Sequence, residues 1–183
     1  MIIVEGPDGS GKSTLVRHLA EFYELPIAPR VVDRDTNAMV ELKEWTEKNV
    51  QSPHENIIHD RHRLISELIY GPVLRYRPEP GFDDIKWLVK QLSGLYHRVC
   101  PLVIYCLPPF ETVLSNLKNG QDNEFIVNSG QARTLYHLYR MRCAIDAASF
   151  PAQVLVYDYT HIGSEGMMEA IHYCVEREIR RDK

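Results

Sequence analysis

The sequence predicts an α/β fold, a single domain over residues 1–183 in which a five-stranded parallel sheet alternates with helices. Three observations predict it. Apolar periodicity switches repeatedly between short β-branched runs and helical stripes, the pattern of βαβ units. The composition, 44% hydrophobic and 25% charged over 183 residues, is that of one ordinary globular domain. A glycine-rich segment, Gly6 to Ser13, follows the first strand-like run and precedes the first helical stripe.

The elements follow in order. Met1 to Glu5 (MIIVE) is apolar and β-branched, as a strand buried on both faces is. Leu15, Val16, Leu19 and Phe22 make an i, i+1, i+4, i+7 stripe, which predicts a helix with one buried face. Ile27 to Val32 reads as a second strand, Glu41 to Val50 as a helix, Ile57 to Asp60 as a third strand and Leu64 to Tyr70 as a helix. Gly71, Pro72, Pro78, Pro80 and Gly81 then break the pattern, so Gly71 to Gly81 is expected to be a loop or elbow. Ile85, Leu88, Val89, Leu92 and Leu95 give a longer helical stripe, Leu102 to Leu107 (LVIYCL) a fourth strand and Phe110 to Lys118 a helix. The polar stretch Asn119 to Gly130 is long for a structureless connection at about a dozen residues, and is a candidate mobile lid. Ala132 to Ala148 is helical, Val154 to Asp158 is the fifth strand, and Gly166 to Arg180 is the last helix.

Charge and composition narrow the function classes. Lys plus Arg (21) against Asp plus Glu (25) gives a net charge of −4 with no long block of either sign, which disfavours duplex nucleic acid as an obligate partner. No apolar stretch approaches the roughly 20 residues of a membrane-spanning helix, and Met1 leads into the first strand without a basic leader, so the expected location is cytoplasmic. Cys100, Cys106, Cys143 and Cys174 form no Cys-x-x-Cys pair and are expected to be reduced and mostly buried. His59 and His62 lack a third ligand nearby in sequence, so a satisfied or solvated pair is expected in place of a metal site.

Gly6-Pro7-Asp8-Gly9-Ser10-Gly11-Lys12-Ser13 fits G-x-x-x-x-G-K-[ST] directly after a strand and before an amphipathic helix. Glycines let the backbone wrap a polyphosphate, and successive N–H groups from Gly9 to Thr14 and the helix N-terminus supply positive potential. Lys12, expected to be exposed in the empty loop, reaches the outer phosphates, and Ser13 offers its hydroxyl to Mg²⁺. The expected ligand is a nucleoside triphosphate such as ATP with Mg²⁺. The chain has no N-K-x-D motif of a GTPase, and Leu102 to Leu107 runs into Pro108-Pro109 where a motor ATPase has a metal-binding Asp.

The opening IIVEGPDGSGKSTL, together with Ile58 to Leu64 (IHDRHRL) and Ser66 to Gly71 (SELIYG), resembles thymidylate kinases, the related deoxynucleoside kinases and small nucleotide kinases of bacteriophages. The resemblance implies a P-loop NTPase three-layer sandwich, a five-stranded parallel sheet with helices on both faces and a short lid, commonly as a homodimer. It implies that Asp8 holds the acceptor sugar, that Asp60 lies near Mg²⁺ and the transferring phosphoryl group, and that Arg61 grips the acceptor phosphate. Bare chemistry assigns the same roles, since a carboxylate accepts a hydroxyl hydrogen bond or holds metal-bound water and a guanidinium fork binds phosphate bidentately.

The sequence departs from that family in two places. A catalytic arginine belongs either in the loop or in the lid, yet the loop has Gly9 and Asn119 to Gly130 contains no arginine or lysine. Arg133 and Arg142, with Arg140 behind them, are the candidate replacements; Arg133 and Arg140 share a helix face with His137, whereas Arg142 falls among Leu135, Leu138 and Ile145 and is spaced to pair with Asp146. Val31 to Trp45 also lacks the family's Arg-Glu-Pro, which leaves the base open. Trp45, Tyr70 and Tyr136 are the candidates to stack on it, against the commoner role of aromatics in core packing. The expected reaction is phosphoryl transfer from ATP to a deoxynucleoside monophosphate. A nucleoside acceptor is the alternative, with Asp60 as base toward the 5′-hydroxyl, and an ATP-binding switch without an acceptor is the third reading, for which the sequence shows no apolar helix face to spare.

Overall fold

Period-two alternation in the strands decides the layers. In the computed structural model, which describes residues 1–29, 38–49, 56–74, 81–119, 128–150, 153–161 and 163–181, four parallel strands form one sheet in the order β2-β1-β3-β4. They are β1 (Ile2–Glu5), β2 (Ile58–Asp60), β3 (Leu102–Cys106) and β4 (Val154–Tyr157). The helices are α1 (Lys12–Tyr23), α2 (Ala38–Asn49), α3 (Arg63–Leu74), α4 (Phe82–Val99), α5 (Phe110–Asn119), α6 (Ser129–Ser149) and α7 (Ser164–Arg181). Ile3, Val103 and Tyr105 enter a core with Leu42 of α2, Ile65 of α3, Leu92 of α4 and Leu135 of α6. Their neighbours Ile2, Val4, Ile104 and Cys106 enter a second core with Leu15 and Leu19 of α1 and Ile171 and Val175 of α7. Helices therefore cover both faces, which is why β1 and β3 are buried at every residue.

The fold class holds with a correction in strand number: the described residues contain four strands, not five. Of the expected strand Ile27 to Val32, Ile27 makes only an isolated parallel bridge to Ile58, and residues 30–32 lie outside the described ones. Pro26 and Pro29 flank that bridge and have no N–H to extend a ladder. The elbow expected from Gly71 to Gly81 does not begin at Gly71, and residues 75–80 lie outside the described ones. Helix α3 runs through Gly71 and Pro72 to Leu74, because a proline in the last turn withdraws only the one N–H that the Leu68 carbonyl would accept.

Two apolar stripes are only half used. On α4, Leu88, Leu92 and Leu95 are buried, but Ile85 and Val89 are exposed beside Phe82, so this helix does present a spare apolar face. Phe22, expected in the buried stripe of α1, is 62% exposed. On α6 the inward line is Leu135, Tyr139, Cys143 and Asp146, with Ile145 turned outward. Asp146 is drawn in because it accepts hydrogen bonds from Tyr96 and Tyr105, each at 2.6 Å, and pairs with Arg142. All four cysteines are free, but only Cys106 and Cys143 are buried. Among the described residues no helix is long and apolar enough to cross a membrane.

Candidate active site

Parallel strands aim their C-terminal ends at one edge of the sheet, and the segments leaving those ends build the site. Strand β1 leaves through Glu5 into the loop that enters α1, β2 ends on Asp60 and Arg61, β3 leads into α5, and β4 leads to Asp158 and Tyr159. The strand order reverses beside β1, where an open α/β sheet leaves its crevice.

The loop's glycines are required by geometry. Gly9 has φ 76°, and a Cβ there would lie 2.8 Å from the Val113 carbonyl oxygen and 3.1 Å from Leu117 Cγ on α5. Neither an arginine nor any other side chain fits at that point, which accounts for the missing loop arginine. Lys12 departs from expectation: it is 5% exposed, its ammonium folded back to donate to the Pro7 carbonyl at 3.2 Å and standing 3.6 Å from Asp8. The wrapped loop shields its stem.

Asp8, Arg61 and Tyr70 come together. The Arg61 guanidinium pairs with Asp8 Oδ1, donates to the Tyr70 hydroxyl and stands 4.5 Å over the Tyr70 ring. Burial opposes the guanidinium's charge, but Tyr70, Tyr139 and Asp8 outweigh it and hold its pKa above the usual value. Arg61 adopts φ 71°, a left-handed conformation that a non-glycine residue takes at some cost, and its backbone N–H donates to the Val4 carbonyl at 3.0 Å. That turn swings the side chain from the β2 end across to the loop.

Ser13 Oγ donates to Asp60 Oδ2 at 2.8 Å, while Asp60 Oδ1 is buried without a hydrogen-bond partner among the described residues. A hydroxyl beside an unsatisfied carboxylate oxygen is a donor set that suits Mg²⁺, a hard cation that keeps water ligands, so these residues fit the metal. Beneath them lies a group the sequence reading did not single out. Glu5 is fully buried, accepts from the His62 N–H at 2.7 Å and from the Tyr139 hydroxyl at 3.1 Å, and burial raises its pKa to about 7. A carboxylate closing an otherwise apolar strand was its only signal. Burial, with His59 nearby, pushes His62 down to about 3, which keeps it neutral. Their rings lie 5.1 Å apart, and the described residues contain no cluster of three or more metal-ligating side chains. Burial pushes the Cys106 thiol up to about 12 and removes it as a nucleophile.

The remaining candidates separate. Trp45 packs against the core beside His62, with Arg63 over its ring, and Tyr136 is buried with its hydroxyl on the Pro108 carbonyl at 2.9 Å. Arg142 takes the pairing that its spacing offered, with Asp146. Arg133, Arg140 and His137 are exposed on one face as expected, and Arg133 stacks 4.8 Å over Phe110, just beyond the β3 end. Of the candidate lid, residues 120–127 lie outside the described ones; Asn128 caps α6, its side chain accepting from the Gln131 N–H at 2.9 Å. Asn116 and Tyr159, both touching the loop, carried no sequence signal.

A strand, glycine-rich loop and helix stand together at the reversal of a parallel α/β sheet. Solved structures share this fold. The YorR protein of Bacillus subtilis, in complex with phosphorylated GDP, superposes with a TM-score of 0.67 at 19% identity over 97% of this chain and 96% of that one. Deoxyadenosine kinase from M. mycoides with bound dATP gives 0.62 at 19% identity over 93% and 98%. The same enzyme with products dCMP and a flexible dCDP gives 0.64 at 20% identity over 96% and 98%. No protein-family model matches the sequence, and no curated protein matches it.

Proposed function

We propose that this protein transfers the terminal phosphoryl group of ATP to a deoxynucleoside monophosphate. The observation that carries the reading is the convergence of an anion-binding loop, with Lys12, on a carboxylate and a buried guanidinium, Asp60 and Arg61, at one sheet edge. The loop's N–H groups and Lys12 bind the donor phosphates, Lys12 leaving Pro7 and Asp8 for them. Ser13 and Asp60 would hold Mg²⁺, which when bound neutralises charge on those phosphates. Arg61 orients the acceptor phosphate and Asp8 its sugar. An acceptor phosphate oxygen forms the new bond to the γ-phosphorus as the bond to the β–γ bridging oxygen breaks, and ADP carries away the electron pair. Arg133 supplies charge to the phosphoryl group in flight, since Arg142 is committed to Asp146.

A second reading has its own support. Arg61 is already engaged by Asp8 and Tyr70, and the unpartnered Asp60 Oδ1 suits the proton of a nucleoside 5′-hydroxyl. The M. mycoides enzyme of the same fold is named a deoxyadenosine kinase, and a nucleoside monophosphate, dCMP, is among the products bound to it. A coupled ADP-release assay against nucleosides and monophosphates separates the two. Turnover with monophosphates bears out the first reading, turnover only with nucleosides the second, and nucleotide binding without any ADP release overturns both. We also propose a homodimer, for which Phe82, Ile85 and Val89 on α4 supply an exposed apolar stripe; light scattering at the mass of one chain would refute it.

A further inference from the structure

The phosphate loop is gripped from outside by two segments far from it in sequence. Asn116 on α5 uses both amide hydrogens: Nδ2 donates to the Gly9 carbonyl oxygen at 2.8 Å and to the Tyr159 hydroxyl oxygen at 2.8 Å. Tyr159, just past β4, lays its ring against Gly11, so close that a Cβ on Gly11 would sit 2.7 Å from Cε1. The turn carrying Tyr159 is itself tied, because Asp158 Oδ1 accepts from the Thr160 N–H at 2.9 Å and from its hydroxyl at 2.7 Å.

An anion-binding loop has to aim N–H groups inward and therefore carbonyls outward. Gly9, at φ 76°, has the freedom to turn its following peptide either way. Capping the Gly9 oxygen fixes that peptide plane, and with it the Ser10 N–H, which donates within the loop to the Pro7 carbonyl at 3.3 Å; the clamp thus holds the turn from which the following N–H groups are presented. We propose that Asn116 and Tyr159 are positioning residues for the donor triphosphate, a clamp that presets the phosphate loop and ties it to the segment after β4. This rests on reading the loop as the triphosphate site.

Asn116→Ala, Tyr159→Phe and the double variant test it, with ATP titrated calorimetrically in the presence of Mg²⁺ and the two Michaelis constants measured separately. Each single change is expected to weaken ATP binding and raise the donor KM about tenfold, the worth of one well-placed hydrogen bond. Because both act through one link, the double variant is expected to lose no more than about the same factor. The acceptor KM stays put, a split that general loosening of the fold would not give. Asn116→Asp, unable to donate to the Gly9 oxygen, is expected to match Asn116→Ala. Unchanged ATP affinity in the variants, or equal rises in both Michaelis constants, overturns the clamp while leaving the triphosphate site standing. Absence of ATP binding by the parent protein overturns both.

Discussion

Replacing Glu5 by Gln should change how stability depends on pH, and the size of the change follows from burial. Glu5 lies beneath the loop with a pKa raised from 4.5 to about 7, because burial outweighs the hydrogen bonds from His62 and Tyr139 that favour the charged form. The native protein therefore holds this proton more tightly than the unfolded chain does. Its contribution is full below about pH 4.5, falls as pH rises and is gone above about 7. About 2.5 pKa units at 1.36 kcal/mol each come to roughly 3 kcal/mol. His62 has the opposite sign: with a pKa pushed from 6.5 down to about 3, it contributes stability above pH 6.5 that is lost on acidification. Between pH 4.5 and 6.5 the two slopes oppose each other. In Glu5→Gln the amide keeps an oxygen for the His62 N–H and offers an N–H to the Tyr139 oxygen, but nothing titrates. Urea unfolding followed by circular dichroism in half-unit pH steps should show the variant gaining on the parent by about 3 kcal/mol between pH 4.5 and 7, with the His62 slope laid bare. Parallel profiles for parent and variant would refute the reasoning, since Glu5 would then titrate alike in both states.

Four further changes probe the site and its support. Lys12→Ala should abolish turnover and leave the circular dichroism unaltered; turnover within a few fold of the parent would end the kinase reading. Arg61→Ala should raise the acceptor KM and lower kcat while the donor KM holds, and a collapse of ATP binding in its place would favour the nucleoside acceptor. Arg133→Ala should lower kcat by about two orders of magnitude without shifting the urea midpoint, and a near-parental kcat would remove it from the chemistry. Asp146→Ala should cost about 3–5 kcal/mol in urea unfolding, because it strands Arg142 and the Tyr96 and Tyr105 hydroxyls in the interior; a loss under about 1 kcal/mol would mean that the cluster repacks.

What could be read from sequence was what lies together in sequence. The loop from Gly6 to Ser13 is contiguous, and its flanking strand and helix follow from local apolar periods, so both were legible. Asp8 and Arg61 were identified separately, but their pairing depends on the left-handed turn at Arg61, which no periodicity encodes. Asn116 is 107 residues from the Gly9 oxygen it caps, and an exposed asparagine on a helix looks like any other. Asp146 inverts the helical wheel, since a polar letter marks the inward face once three donors await it. Ile85 and Val89 show the converse: apolar character was legible, but which of two apolar stripes would find a partner depended on packing alone.

The contact between Gly9 and the backbone of α5 also closes an evolutionary route. A single base change can turn a glycine codon into an arginine codon, so that substitution lies within easy genetic reach. Here the incoming side chain would start 2.8 Å from a main-chain oxygen, an obstacle that no rotamer avoids and that only displacement of a helix removes. An arginine serving this loop therefore has to reach it from another segment.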